Sequence, residues 1–243
     1  MESRQTVVSL RDVRFAWNPL SDPVLDIETF DMAQGEKVFL YGPSGSGKST
    51  LLSIIAAVVQ PQAGTVTVDG VDLGTLSGSA LDRFRADHIG LVFQQFNLLP
   101  FLNILDNVAL PCRFSTLRKQ RAMESTGTLK DEAIRLLQTM QLPESAYQAR
   151  SAMQLSVGQQ QRVAVARALM GKPSLIIADE PTSSLDMDAR TAFLELLFTE
   201  VESTNASVLF VSHDASLQSM FDRSIRLDEL NAANPEQLVR SSA

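Results

Sequence analysis

Apolar and polar residues alternate near the beginning of the chain and form continuous apolar runs further along it. The alternation at 7–10 and 13–17 predicts two short, half-exposed strands. Continuous apolar runs predict buried strands at 38–41, 89–93, 175–178 and 208–211, and residues 64–70 have the pattern of an edge hairpin strand. Because the buried strands alternate with helical patterns, we expect an α/β fold with a mainly parallel sheet.

Apolar residues at helical spacing predict helices at 51–59 (stopped by Pro61), 130–140, 159–170 and 189–201. Strand signals fade between residues 96 and 155, and a loop is predicted at 125–128. We therefore interpret residues 1–243 as a single domain with an antiparallel β part near its N-terminus. In this interpretation a helical subdomain (95–155) is inserted into an α/β core (1–94 and 156–243).

Composition and charge restrict the classes of function. The chain has 243 residues, of which 44% are hydrophobic and 20% charged, as is typical of globular proteins. Its formal net charge of −7 argues against nucleic acid as a partner, because phosphate backbones are held by basic surfaces. Cys112 is the single cysteine, so no internal disulfide can form, and we expect its side chain to fill space in the interior.

The sequence predicts neither a signal peptide nor a membrane-spanning helix. Residues 1–5 lack the charged-then-apolar pattern of a signal peptide. The longest apolar run, at 51–59, is far shorter than the roughly 20 residues that a span requires. Any role at a membrane is therefore expected to depend on a partner protein.

Residues 42–49 match the phosphate-loop pattern G-x-x-x-x-G-K-[ST] and lie between a predicted strand and a predicted helix. Glycines let the backbone wrap closely around an anion, and the helix N-terminus adds partial positive charge. Lys48 is expected to reach the β- and γ-phosphates, and Ser49 to bind Mg²⁺. The predicted ATP-binding residues of this loop are Gly42, Pro43, Ser44, Gly45, Ser46, Gly47, Lys48, Ser49 and Thr50.

Two carboxylates follow the buried strand predicted at 175–178. Ligands of open parallel sheets bind beyond the carboxyl ends of the strands, which is where Asp179 and Glu180 are expected. We expect Asp179 to hold the Mg²⁺ shell and Glu180 to polarise the attacking water. The alternative is a strand that simply ends in two solvated acids, and the phosphate loop makes that alternative the weaker one.

A third motif points to a family. Residues 155–159, Leu-Ser-Val-Gly-Gln, precede the acidic strand and begin a helix, and they resemble the LSGGQ signature of ATP-binding cassette (ABC) ATPases. The helix N-terminus, the Ser156 hydroxyl and the Gly158 backbone would form a second anion site. The resemblance implies a P-loop NTPase (RecA-like) core and ATP as the ligand. It also implies a homodimer, in which Ser156, Gly158 and Gln159 of one copy meet the γ-phosphate held by the other.

The resemblance covers nearly the whole chain and implies roles for four more residues. Gln94 matches the glutamine that contacts Mg²⁺ and reports to the permease, and His213 matches the switch histidine that contacts the γ-phosphate. Asp186 matches the D-loop. Trp17 suits the aromatic that stacks on adenine, a role for which Phe15 could compete. The implied catalytic residues are Lys48, Gln94, Glu180 and His213, and the implied Mg²⁺ ligands are Ser49, Gln94 and Asp179.

Two positions depart from the family pattern. Val157 replaces the usual first signature glycine, and a β-branched residue does not easily adopt positive φ, so an extended or helical backbone is expected there. Ser184 replaces a more usual alanine. Neither change removes a catalytic group, so the resemblance implies a competent ATPase.

Segments 93–100 and 107–111 resemble the ATPases of the lipoprotein-release and macrolide-export group. This resemblance implies export or extraction of a substrate through a separate integral-membrane permease, and a periplasmic adaptor reached through that permease. The subunit is then expected at the cytoplasmic face of the inner membrane. The alternative is a regulatory ABC ATPase of a membrane-associated assembly, similar to the cell-division relative, which moves no substrate.

Overall fold

The computed structural model describes residues 5–147, 151–183 and 185–233. In these residues the strands are β1 (Thr6–Phe15), β2 (Leu25–Ala33), β3 (Lys37–Tyr41), β4 (Ala63–Val68), β5 (Val71–Asp72), β6 (Ile89–Val92), β7 (Leu175–Asp179), β8 (Ser207–Val211) and β9 (Arg223–Arg226). The helices are α1 (Lys48–Ile55), α2 (Ser79–His88), α3 (Ile104–Ala109), α4 (Pro111–Phe114), α5 (Thr116–Thr126), α6 (Leu129–Thr139), α7 (Glu144–Tyr147), α8 (Val157–Leu169), α9 (Met187–Thr204) and α10 (Leu227–Leu230). The chain divides into two compact units, one formed by residues 1–85 and 209–243 and the other by residues 86–208.

The first unit contains an antiparallel sheet of strand order β2-β1-β4-β5. Where the sequence predicts two short strands, the structure has the single strand β1. Asp12 adopts a positive φ of 52° between the two predicted segments, but it forms a bulge and the strand continues beyond it. The register between β1 and β4 shifts at this point, between Arg11 and Arg14. Strand β2 was not predicted, since its apolar positions change phase in the middle, with both Glu28 and Thr29 exposed.

The first unit also contains parallel strands. Strand β3 pairs in parallel with β9, and the Ser212 N–H, directly after β8, donates to the Leu40 carbonyl oxygen at 3.3 Å. Helix α1 ends at Ile55, four residues before its predicted end, because Ala57 turns into the left-handed region at a φ of 56°. Helix α2 was missed by the sequence analysis, since Phe84 is its one buried residue and leaves no apolar periodicity.

The second unit combines parallel strands with helices. Strand β6 pairs in parallel with β7, and the Ser207 N–H at the start of β8 donates to the Ser174 carbonyl at 2.9 Å. The regular structure described between residues 104 and 154 is helical. Helix α6 matches its prediction to within one residue, and Cys112 in α4 is buried, which raises the pKa of its thiol. The antiparallel N-terminal sheet and the parallel strands with helices confirm the predicted α/β class.

Two helices of the second unit begin earlier than predicted, because polar side chains cap them. Ser156 precedes α8, which begins two residues before the predicted start. Asp186 accepts a hydrogen bond from the Ala189 N–H at 2.9 Å, so α9 begins at Met187 and not at Ala189. At its C-terminal end α9 extends to Thr204, where Asn205 closes it in the left-handed conformation.

Candidate functional site

The phosphate loop leads from β3 into α1 in the first unit. Gly45 and Gly47 have positive φ values of 80° and 98°, which glycine adopts without steric cost. A Cβ atom on Gly47 would lie 2.8 Å from Leu25 Cδ2, so a side chain at this position would collide with β2. Gly47 is the N-cap of α1 and offers no side-chain hydrogen bond to the helix, and an N-terminus without a side-chain cap is a favourable place for an anion.

The side chains of the loop are arranged around its own backbone. Lys48 Nζ donates to the carbonyl oxygens of Gly42 and Pro43, at 2.9 Å each. Ser46 is buried and its Oγ has no hydrogen-bond partner, whereas Ser49 is exposed and Thr50 is buried. An ammonium group and a helix N-terminus at the same loop form a site suited to an anion such as a phosphate chain.

Asn231, just beyond α10, connects the phosphate loop to residues at the start of β2 through side-chain hydrogen bonds. Its Nδ2 donates to the carbonyl oxygens of Val24 at 2.9 Å and Ser46 at 3.3 Å, and its Oδ1 accepts from the Asp26 N–H at 2.7 Å. Sequence analysis did not identify this residue, because its partners lie about two hundred positions away in the chain. Nothing in the sequence marks Asn231, since its burial and its position beside the loop result from the fold.

Two other predicted residues of the first unit are exposed. His213 follows β8, which lies beside β3, so His213 and the phosphate loop follow the carboxyl ends of neighbouring strands. Trp17 is 63% exposed and packs edge-on against Phe15, with the ring centroids 5.0 Å apart. Phe15 is buried, so of these two aromatics Trp17 is the one with a free face for a flat ligand.

Asp179 and Glu180 lie at the carboxyl end of β7 in the second unit. Glu180 has a φ of 46°, a conformation that is rare for a residue other than glycine and that marks stored backbone strain. The Ser183 N–H donates to the Glu180 carbonyl at 3.3 Å and closes a turn after the acids. Strained backbone of this kind occurs at functional sites, where the surrounding structure holds a side chain in a required position.

Gln94 follows β6, the neighbour of β7. The parallel pairing places Val92 opposite Ala178, so Gln94 and the two acids follow adjacent strand ends within the second unit. The side chain of Gln94 is exposed. After it, Phe96 and Asn97 adopt positive φ values of 57° and 48°.

The signature residues form the N-terminus of α8. The Ser156 Oγ accepts from the Gln159 N–H at 3.3 Å, and the Gln159 Oε1 accepts from the Ser156 N–H at 3.0 Å, which is a capping box. Val157 is exposed and helical, so the prediction for this departure from the family pattern is confirmed. A Cβ atom on Gly158 would approach Leu185 at 3.8 Å, an ordinary contact.

A groove of about 310 Å³ lies beside the start of α8 within the second unit. Leu142, Leu185 and Phe193 form apolar parts of its lining. Gln161 also lines it, and this fully buried side chain has no hydrogen-bond partner for either its amide nitrogen or its amide oxygen. Asp186, predicted to contact nucleotide, caps α9 and is exposed.

The first unit therefore contains Trp17, the phosphate loop and His213, and the second contains Gln94, the signature, Asp179, Glu180 and Asp186. Ser184 lies outside the described residues. No group of three or more His, Cys, Asp or Glu residues in the described part of the chain could hold a metal by itself. The predicted Mg²⁺ ligands, Ser49, Gln94 and Asp179, all offer oxygen atoms, which suits a hard cation that also binds phosphate oxygens.

None of the helices in the described residues is long and apolar enough to cross a membrane.

Comparison with known proteins places these motifs in one family. The profile of the ABC transporter family matches residues 25–183. An uncharacterized ABC transporter ATP-binding protein of Methanocaldococcus jannaschii, MJ0796, is 39% identical over 208 residues, which are 86% of this chain and 86% of that protein. The lipoprotein-releasing system ATP-binding protein LolD of Hyphomonas neptunium is 39% identical over 198 residues, 82% of this chain and 83% of LolD.

The macrolide export ATP-binding/permease protein MacB of Chromobacterium violaceum is 38% identical over 204 residues, which are 84% of this chain and 30% of MacB. Among solved structures, a dimer of the MJ0796 cassette in a post-hydrolysis state with ADP and Pi has a TM-score of 0.78 and 36% identity. The superposition covers 90% of the present chain and 93% of the MJ0796 chain. The chain belongs to the ABC transporter family and is an ATP-binding subunit with the ATPase activity of that family.

Proposed function

We propose that this ATPase drives export or extraction of a substrate through a separate membrane permease, from the cytoplasmic face of the inner membrane. The observation that carries the proposal is the resemblance of segments 93–100 and 107–111 to the lipoprotein-release and macrolide-export group, in a chain that has a phosphate loop and the signature 155–159 at the capped N-terminus of α8. The named relatives LolD and MacB belong to transporters, which favours this function over a regulatory ATPase that moves no substrate. Their names suggest lipoproteins and macrolides as substrate classes.

Residues 42–50 bind the triphosphate of ATP. Lys48 neutralises the β- and γ-phosphates, since its Nζ already lies against the loop, and the N–H groups at the start of α1, which has no side-chain cap, donate to the phosphate oxygens. Ser49, Gln94 and Asp179 are the Mg²⁺ ligands. When bound, the cation offsets negative charge on the phosphate oxygens.

Glu180 accepts the proton of the attacking water and His213 donates to the γ-phosphate. The strained backbone of Glu180 supports this role, since the fold holds the main chain at this residue in a conformation that costs free energy. Trp17 stacks on the adenine with its exposed face.

Two copies of the chain form the working enzyme. In this dimer Ser156, Gly158, Gln159 and Asp186 of one copy act on the nucleotide held by the other. The dimeric structures of the similar cassette MJ0796 support this assembly. The helical stretch 95–155 is the subdomain that contacts the permease, and a periplasmic adaptor is reached through that permease.

The proposal is tested with Glu180→Gln and with Glu195→Gln, which changes an exposed glutamate of α9 and serves as a matched control. General-base catalysis contributes about 10²–10⁴-fold, so Glu180→Gln is expected to lower kcat by that factor while ATP still binds. Each variant is then purified from detergent-solubilised membranes with ATP and Mg²⁺, and co-purified proteins are identified by mass spectrometry.

Co-purification of an integral-membrane permease with Glu180→Gln supports the transport function. Recovery of soluble or division-site proteins alone would support the regulatory alternative. Hydrolysis by Glu180→Gln at the rate of Glu195→Gln would show that another group is the base.

A further inference from the structure

Helix α8 carries a buried arginine near its C-terminal end, eleven residues after the signature serine. Arg167 is 8% exposed, and burial lowers the pKa of its guanidinium. Its Nη1 donates to the carbonyl oxygen of Asn97 at 2.7 Å, and its Nη2 donates to the carbonyl oxygen of Phe96 at 2.5 Å. Arg167 thus joins α8 to the loop that follows Gln94.

The two carbonyl oxygens that accept from Arg167 belong to Phe96 and Asn97, which both have a left-handed backbone conformation. A bulky residue such as Phe96 rarely adopts a φ of 57° and persists there only where the surroundings hold it, whereas asparagine at position 97 adopts a φ of 48° more readily. The Phe96 N–H donates to the Phe93 carbonyl at 3.0 Å, and the Asn97 N–H donates to the Gln95 carbonyl at 2.6 Å. These bonds close a turn around Gln94, and the guanidinium of Arg167 bridges the next two carbonyls.

A second buried arginine contacts the same helix without touching this loop. Arg118, on α5, is 2% exposed and donates to the carbonyl oxygens of Met170 and Ala168, each at 2.6 Å, at the end of α8. Burial lowers its pKa to about 10. The other described bonds of the Arg118 side chain go to the carbonyl oxygens of Ile89 at 3.3 Å and of Arg167 itself at 3.4 Å, and none goes to the segment 93–97. Loss of Arg118 therefore perturbs the same end of α8 but removes no bond to the segment 93–97.

We propose that Arg167 is a positioning residue for ATP hydrolysis, which holds the turn that presents Gln94 and ties it to the signature helix. The proposal rests on the function proposed above, in which Gln94 acts at the nucleotide. Ser156 and Arg167 are about 16 Å apart along one helix, at 1.5 Å per residue. A displacement of α8 by a ligand at its N-terminus would therefore move Arg167 and, with it, the carbonyls that shape the Gln94 turn.

The experiment compares Arg167→Met, Arg167→Lys and the control Arg118→Met in the full chain. Arg167→Met is expected to retain ATP affinity within about twofold, because the phosphate loop is unchanged. It is expected to lower kcat about tenfold or more, since a small misplacement of a catalytic group has effects of that size. Arg167→Lys keeps the charge but not the planar fork, so it is expected to lie between wild type and Arg167→Met.

Two further measurements separate positioning from stability. Amide hydrogen exchange of the peptide 93–99 is expected to be about tenfold faster in Arg167→Met and unchanged in Arg118→Met. The Mg²⁺ concentration that gives half-maximal activity is expected to rise only in Arg167→Met. The thermal midpoints of both methionine variants are expected to fall.

Equal kcat and equal exchange at 93–99 in the two methionine variants would overturn the proposal and leave Arg167 a structural residue. If Arg167→Met does not fold, Arg167→Lys is compared with Arg118→Lys, and equal kcat and equal exchange at 93–99 in those two variants would overturn the proposal. A wild-type chain that does not hydrolyse ATP, or a Glu180→Gln variant with wild-type kcat, would instead refute the proposed function.

Discussion

Arg135 joins two buried glutamates on different helices, and its loss should destabilise the second unit. Its guanidinium donates to both oxygens of Glu132 on α6, at 2.8 and 2.9 Å, and to both oxygens of Glu200 on α9, at 2.6 and 3.0 Å. The two glutamate side chains are 1% and 6% exposed, and that of Arg135 is 34% exposed. The hydrogen bonds that Arg135 donates to Glu132 and to Glu200 hold the pKa of its guanidinium well above the usual range.

Replacing Arg135 with methionine leaves two carboxylates buried without their cation. Breaking a fully buried pair costs about 3–5 kcal/mol, chiefly because the remaining charge stays desolvated. Water reaches a third of the arginine side chain and screens part of the interaction, so we expect the free energy of unfolding to fall by about 2–4 kcal/mol.

The assay is urea unfolding followed by far-ultraviolet circular dichroism, with Arg113→Met as the control. Arg113 pairs with Asp106 at 3.2 Å on the surface, where both side chains are about half exposed, so its loss should cost under about 1 kcal/mol. The apolar triple variant Glu132→Met/Arg135→Met/Glu200→Met should recover most of the loss, because no buried charge remains. A loss below about 1 kcal/mol for Arg135→Met, or a triple variant no more stable than the single one, would refute this reasoning.

Three further predictions concern single residues. Lys48→Ala should weaken ATP binding about 10- to 150-fold in a fluorescent-ATP titration, because a hydrogen bond from a charged group contributes about 1.5–3 kcal/mol. An unchanged Kd would contradict the role of this lysine. Gln161→Met should leave the free energy of unfolding in urea unchanged or raise it by about 1–3 kcal/mol, because the buried amide has no partner; a clear loss would mean that the amide is satisfied by water. Gly171→Ala should cost about 2–4 kcal/mol in the same assay, since φ is 73° and the new Cβ would lie 2.5 Å from the Arg118 carbonyl oxygen. Gly127→Ala, with a φ of 88° but open space around it, should cost about 1 kcal/mol, and equal losses in the two glycine variants would show that the contact with Arg118 is not the cause.

Strands β3, β6, β7 and β8 were predictable because each carries a continuous apolar run, and the phosphate loop was predictable from its glycine spacing. Strand β2 was missed, because its apolar positions change phase between Ile27 and Phe30, and a two-residue period does not extend across the change. The two short strands predicted at 7–10 and 13–17 are one strand that ends at Phe15, since nothing local in the sequence shows that the chain continues in the same sheet through Asp12.

The sequence by itself determined the order of the elements and the chemistry at their ends. Ser156 and Asp186 cap helices through bonds to residues three positions away, and Lys48 bonds to its own loop, so these contacts follow from a few neighbouring residues. The family signature is equally local, because it occupies five consecutive positions, 155–159.

Only the tertiary structure decided which distant backbone groups the buried polar side chains meet. Arg167, Arg118 and Asn231 bond to carbonyl oxygens that are 70, 52 and 207 positions away, respectively. Every residue offers such a carbonyl, so no pattern of side chains identifies the partner. The left-handed turn after Gln94 has the same origin, since Phe96 has no local preference for it and adopts it where Arg167 and the packed core hold it.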